Sequence, residues 1–182
     1  MKIGEKANPF SLPGVDGKTY TLDSFKDKAV LVVIFSCNHC PYVQAYEERM
    51  IKLQKDFAAQ GAQFVLINSN EDEHYPEDSF PEMVKRAKSE GYNFPYLRDE
   101  SQEVAKSYQA ERTPHIYVFD KERKLAYTGK IDDNWQEPQK VKVEYLRGAL
   151  QALVSGGAPA EATTFAIGCA IKWKRAGQSN ED

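Results

Sequence analysis

The sequence has little cysteine: Cys37, Cys40 and Cys169 are the three in 182 residues. An odd count with one close pair excludes a disulfide-stapled scaffold, and a chain of this length can bury a core without staples. Long apolar runs are missing too. The longest, Ala29 to Phe35, has seven residues, far short of the roughly 20 that cross a bilayer, so no membrane partner is expected. Charge of one sign is also scarce. The 24 basic and 27 acidic residues leave a formal charge of -3, which gives no field for nucleic acid. No apolar stretch follows Lys2, so a cytoplasmic location is expected, with a trimmed leader as the alternative. Without repeats, low-complexity tracts or a long linker, the chain reads as a single domain with an extension over 1–28, a core over 29–155 and a tail over 156–182.

What is present is an α/β pattern. Phe10-Ser-Leu, a Gly14–Gly17 turn and Thr19-Tyr-Thr-Leu predict a short hairpin that extends a sheet edge. Ala29 to Phe35 lacks alternation, as a central strand covered on both faces does. Val43, Tyr46, Met50, Leu53 and Phe57 form one stripe of a helix over 42–60 that Gly61 stops. Gln63–Asn68 then reads as a second buried strand, which completes a βαβ unit. A Ser79-capped helix to Gly91, a short helix over 102–108, a hairpin from 115–120 and 125–128, and a helix over 143–155 follow.

Cys37 and Cys40 fall between a buried strand and a helix start, at the carboxyl edge of the sheet where α/β folds place chemistry. Partial positive charge at a helix N-terminus lowers a cysteine pKa from roughly 8.5 and yields a nucleophile at neutral pH. The spacing lets one thiol resolve a mixed disulfide formed by the other. Because residues before proline avoid the α region, the helix starts either at Asn38 with Cys37 at its cap or at Pro41 with Cys40 there. The expectation is that Cys37 faces outward and attacks while Cys40 resolves. His39, as an imidazolium within the ring of the pair, would favour the thiolate further, an exposed and inert histidine being the alternative.

Cys-x-x-Cys after a central strand, with Thr113-Pro114 directly before a later strand, resembles the thioredoxin fold. The resemblance implies a central mixed sheet with helices on both faces, an N-terminal β-hairpin extension and inserted helices. It also implies that Pro114 is cis against the site, where it blocks metal capture by the thiols, and that Thr113 offers its backbone to substrate. Phe10–Lys18, the stretch between Asn68 and Leu97, and Ile167-Gly-Cys-Ala-Ile-Lys-Trp173 are similar to the alkyl hydroperoxide reductase/thiol-specific antioxidant group, in the branch that keeps Cys-x-x-Cys. Two departures separate the chain from a peroxide-activating member. With Cys40 in the peroxidatic place, Val33 and Cys37 stand where that group has Pro and Thr/Ser, and Pro114 falls near the place of its arginine, with Arg112 two residues earlier. From thioredoxin proper it departs by Ser36 for Trp and Leu31 for a buried acid.

The expected function is thus thiol-disulfide exchange by Cys37 and Cys40 on a protein or small-molecule disulfide or thiol, with a reductase or oxidant as redox partner and neither cofactor nor metal. One alternative is a thiol peroxidase in which Cys40 becomes a sulfenic acid that Cys37 resolves. Another is a soft-metal carrier for Cu(I) or Zn through Cys37, Cys40 and His39. Glu71–Asp78 is read as a solvated acidic loop, and His115 as a hydrogen-bonded strand residue. Cys169 is a third candidate redox thiol, on a tail expected to lie extended toward the pair and to bury Ile167, Ile171 and Trp173.

Overall fold

All seven residues of Val30–Ser36 are buried, as a strand without alternation must be when layers cover both faces of its sheet. In the computed structural model, which describes residues 1–177, this is β3 of an ordered series. Its elements are β1 Ser11–Pro13, β2 Thr19–Thr21, β3, α1 Pro41–Phe57, β4 Ala62–Asn68, α2 Phe80–Glu90, β5 Tyr96–Arg98, α3 Glu103–Tyr108, β6 Arg112–Thr113, β7 His115–Phe119, β8 Leu125–Gly129, α4 Tyr145–Val154 and β9 Cys169–Ala170.

The main sheet has the order β5-β4-β3-β7-β8. β3, β4 and β5 are parallel, while β7 and β8 are each antiparallel to the neighbour before them. This is the mixed sheet expected from the resemblance. Alternate residues of β3 feed two cores. Val30, Val32 and Ile34 pack with Val43, Tyr46, Met50, Leu53 and Phe57 of α1, Met83 of α2 and Leu146 and Leu150 of α4. Leu31, Val33 and Phe35 pack on the other face with Tyr108 of α3, Phe10, Leu12 and Phe25 of the extension, and Ile171. A register shift opposite Val118 and Phe119 puts Leu125 and Tyr127 in different cores although they are two residues apart, because a bulge inverts strand alternation.

Two expectations change. The N-terminal hairpin forms its own two-stranded sheet instead of adding to the main one. It reaches the edge strand β5 through a Gly14–Leu97 bridge and the Val15 N–H donating to Tyr96 O at 3.0 Å. The tail docks as expected, but with a different set of buried residues. The Thr128 N–H donates to Ala162 O and the Thr164 N–H to Thr128 O, each at 3.0 Å, and further along Ile171 donates to Glu111 O at 3.0 Å. Ile171 is 4% exposed, whereas Ile167 and Trp173 keep 37% and 38%. The segment lies over the surface, so one apolar side chain enters the core and the other two lie along its outside.

Candidate active site

Proline fixes where α1 begins. The residue before it is pushed out of the α region, and Cys40 accordingly sits at φ -149°, ψ 122° as the N-cap of a helix that starts at Pro41. Of the two starts open from sequence, this one places Cys40, and not Cys37, at the positive end of the helix. The expectation of an outward Cys37 over a buried Cys40 does not hold either, since the two are 2% and 1% exposed. The covering layer is β6 and the tail. Cys37 Sγ and Thr113 Oγ1 are 3.5 Å apart, and Thr113 O lies 3.5 Å from Cys40 Sγ. The Thr113–Pro114 peptide is cis. Cys169, on the tail, brings its Sγ to 2.8 Å from Cys40 Sγ.

Cys40 therefore lies between two other thiols, and its neighbours decide where charge resides. Its pKa is held well below the ordinary thiol range, first by the hydrogen bond from Cys37, then by the Cys169 thiol and the backbone N–H groups of Val43 and Cys169, all against the opposing effect of burial. Cys37 is pushed well above that range by the same bond to Cys40, by burial and by the negative charge of Asp78. Cys169 is pushed up to about 11 by burial and by its contact with Cys40, with Lys172 and Arg112 acting in the opposite direction. These neighbours favour the charge on Cys40 and the protons on Cys37 and Cys169, whereas the Thr113 carbonyl 3.5 Å away is an acceptor that Cys40 engages while it is protonated.

Beneath the pair is a polar network centred on Asp78, the last residue of the Glu71–Asp78 run expected as a solvated acidic loop. Asp78 is 1% exposed. Its Oδ1 accepts from the Asn38 N–H at 2.6 Å and from Asn68 Nδ2 at 3.2 Å, and its Oδ2 accepts from Asn70 Nδ2 at 3.0 Å. The Tyr96 hydroxyl donates to Asn38 Oδ1 at 2.8 Å, and Gln44 Nε2 donates to Asn38 O at 3.0 Å. Asn38, the first of the two residues between the cysteines, is thus held on both its main chain and its side chain. Glu71 is buried as well, and its carboxylate accepts from the N–H groups of Glu73 and His74. The run of acids reads as a surface; the asparagines on β4 and beyond it, which satisfy Asp78, were the signal for the opposite.

Residues 3–128 match the AhpC/TSA family, a span that holds both pair cysteines and the cis-proline. The chain belongs to that family. An uncharacterized conserved protein from Geobacillus kaustophilus is 43% identical, with 97% of this chain and 94% of that one covered at a TM-score of 0.90. A hypothetical protein from Sinorhizobium meliloti is 39% identical, with 97% of each chain covered and a TM-score of 0.90. The thiol-disulfide oxidoreductase ResA of Halalkalibacterium halodurans is 24% identical over 138 residues, 75% of this chain and 74% of that protein.

As a thioredoxin-fold member of the AhpC/TSA family, the chain shows its departures in three dimensions. Val33 is buried in β3, and the Thr113 hydroxyl contacts Cys37. His39 is exposed and makes no hydrogen bond or ion pair among the described residues. His115 accepts the Glu111 N–H at 3.3 Å, stacks on Tyr117 and is pushed down to about 4 by burial, so it serves the strand. Among the described residues no group of three or more histidine, cysteine or carboxylate side chains is arranged to hold a metal ion, and no helix is long and apolar enough to cross a membrane.

Proposed function

We propose that the protein is a thiol-disulfide oxidoreductase whose working pair is Cys37 and Cys40, with Cys40 as the charged thiol. Membership of the AhpC/TSA family and the likeness to ResA support the class of reaction. The observation that carries the order of roles is the position of Cys40 at the N-cap of α1, with the Cys37 and Cys169 thiols beside it and its pKa held low. In the forward step, once the tail over the pair has moved aside, the Cys40 thiolate attacks one sulfur of a disulfide, forming a mixed disulfide and expelling the other sulfur as a thiolate. Cys37 then loses its proton and attacks Cys40 Sγ. This closes a Cys37–Cys40 disulfide and releases the second product thiol; run backward, the same steps oxidise a dithiol. These roles are the reverse of those expected from the sequence, where Cys37 was the attacking thiol.

The test is ultraviolet titration of thiolate absorbance, which needs no reagent access. At about pH 6, where an ordinary thiol of pKa roughly 8.5 is protonated, wild type and Cys37→Ser should retain one thiolate and Cys40→Ser should lose it. Serine at 37 keeps a donor toward Cys40. Loss of the thiolate in Cys37→Ser with retention in Cys40→Ser would assign the attack to Cys37.

The same N-cap position favours a second reading, a thiol peroxidase in which Cys40 is oxidised to a sulfenic acid and resolved by a neighbouring thiol. The absence of Pro and Thr/Ser at 33 and 37 counts against it. Stoichiometric peroxide consumption by the reduced protein would favour the peroxidase, and disulfide exchange without it would favour the oxidoreductase.

A further inference from the structure

The tail closes the site from which it would have to be approached. β9 pairs antiparallel with β6, placing Cys169 directly opposite Thr113 and Ala170 opposite Arg112. Thr113 touches both pair cysteines, so the strand edge nearest the thiols is already taken by the chain's own C-terminal segment. That contact is built for closeness. A Cβ on Gly168 would stand 1.9 Å from Thr113 O, so only glycine lets the tail pass at this distance. Further anchors hold it on either side. The Lys172 N–H donates to Asn70 Oδ1 at 2.9 Å, while buried Gln102 donates to Lys172 O and accepts from the Lys174 N–H, both at 2.9 Å. With the tail in place Cys37 and Cys40 are shut from solvent, and Cys169 is the partly exposed cysteine of the three.

We propose that Cys169 is a shuttle thiol, and that the tail is a tethered strand which passes a disulfide between the buried Cys37–Cys40 pair and a dithiol reductant outside. This rests on the reading of Cys37 and Cys40 as the redox pair and adds the route by which electrons reach it. Starting from the oxidised pair, Cys169 loses its proton and attacks Cys40 Sγ. The Cys37–Cys40 bond breaks, its electron pair leaves with Cys37 as a thiolate that takes up a proton, and a Cys40–Cys169 disulfide forms. A thiolate of the reductant then attacks Cys169, the more exposed sulfur, and Cys40 departs as a thiolate. The second thiol of the reductant attacks its own sulfur in that mixed disulfide, freeing Cys169 and closing the reductant's disulfide. Two electrons have moved from the external dithiol to the pair, and each sulfur is accounted for.

The environments favour the second exchange, in which Cys40 departs; the first expels Cys37, which burial and Asp78 hold protonated, and is the slower of the two. A thiol of low pKa is the better leaving group in exchange, and Cys40 is the one held low, by Cys37 and the helix start among other contacts. Part of what raises Cys169 is its contact with a charged Cys40, and that charge is gone once Cys40 is bound in a disulfide. Lys172 and Arg112 then favour the Cys169 thiolate at the step that needs it.

Three variants of the full chain test the shuttle. Mild oxidation of Cys37→Ser should give an intramolecular Cys40–Cys169 disulfide on peptide mapping; a free Cys169 beside an oxidised Cys40 would overturn the proposal. Oxidised Cys169→Ser, with its tail still docked, should be reduced by dithiothreitol about tenfold more slowly than wild type, since neither sulfur of the pair is accessible. Adding Gly168→Ala to Cys169→Ser should restore fast reduction by lifting the cover; a double variant that stays slow would show that the tail is not the barrier. If Cys169→Ser forms the Cys37–Cys40 bridge but is reduced at the wild-type rate, the shuttle alone fails. If it forms no such bridge, the redox pair fails and the shuttle with it.

Discussion

Asp78 Oδ1 accepts the Asn38 N–H at 2.6 Å, so a carboxylate 40 residues further along the chain grips the peptide between the two pair cysteines. The contact fixes the loop and also puts negative charge near Cys37, adding to the Cys40 contact and the burial that raise that thiol. Position and electrostatics come from one side chain, so one substitution should disturb both.

Asp78→Asn should therefore lower the Cys37 pKa, because removing a nearby negative charge favours the thiolate. The new amide keeps an acceptor for Asn38 but turns a donor toward Asn70 Nδ2, which already donates there. A stability loss of about 1–3 kcal/mol is expected for the unsatisfied buried pair. Denaturant midpoints and thiolate titration measure the two effects. A Cys37 titration that does not move would remove the electrostatic role.

The depressed Cys40 should make stability depend on pH. Its folded pKa is about 4 against an ordinary 9.0. A group depressed on folding contributes fully above its unfolded value, and that contribution is lost as pH falls through the folded one. The stability difference between wild type and Cys40→Ser should accordingly increase from about pH 5 to pH 8, inside that window. Above the ordinary thiol value the raised Cys37 acts in the opposite sense, since it holds a proton that the unfolded chain releases. A difference that is flat between pH 5 and 8 would contradict the assignment.

His39→Ala should leave the Cys40 titration where it is. The histidine is exposed, and its influence on the thiolate would be screened by water. An upward shift of the Cys40 titration in the variant would restore His39 to the site.

Ile171→Ala should loosen the tail without unfolding the sheet. Large-to-small changes at buried positions cost about 2–5 kcal/mol, and a surface segment able to readjust belongs at the low end. Amide exchange at Lys172 and Lys174 should quicken, and alkylation of Cys40 in the native protein should rise with it. If Cys40 stays protected while those amides exchange freely, the cover over the thiols lies elsewhere.

Much of this protein is determined locally. The unbroken run of β3, the stripe of Val43, Tyr46, Met50, Leu53 and Phe57, and the strand-to-helix setting of Cys37 and Cys40 follow from side-chain periodicity and turn chemistry within a few residues, and such signals survive in any single sequence. The cis-proline and the mixed sheet were expected only through the family resemblance. Other features depend on how distant segments meet. Which cysteine caps α1 turned on a proline compatible with two helix starts, and the packing of both thiols beneath β6 and the tail decided between an outward and a buried Cys37. Asp78 and Glu71 look like solvent-facing acids until asparagines and backbone N–H groups close around them, because burial of a charge is decided by its partners and not by its own residue type. The juxtaposition of Cys169 with Cys40 depends on the register between β9 and β6, set by Gly168, Gln102 and Asn70 across loops whose path no periodicity encodes.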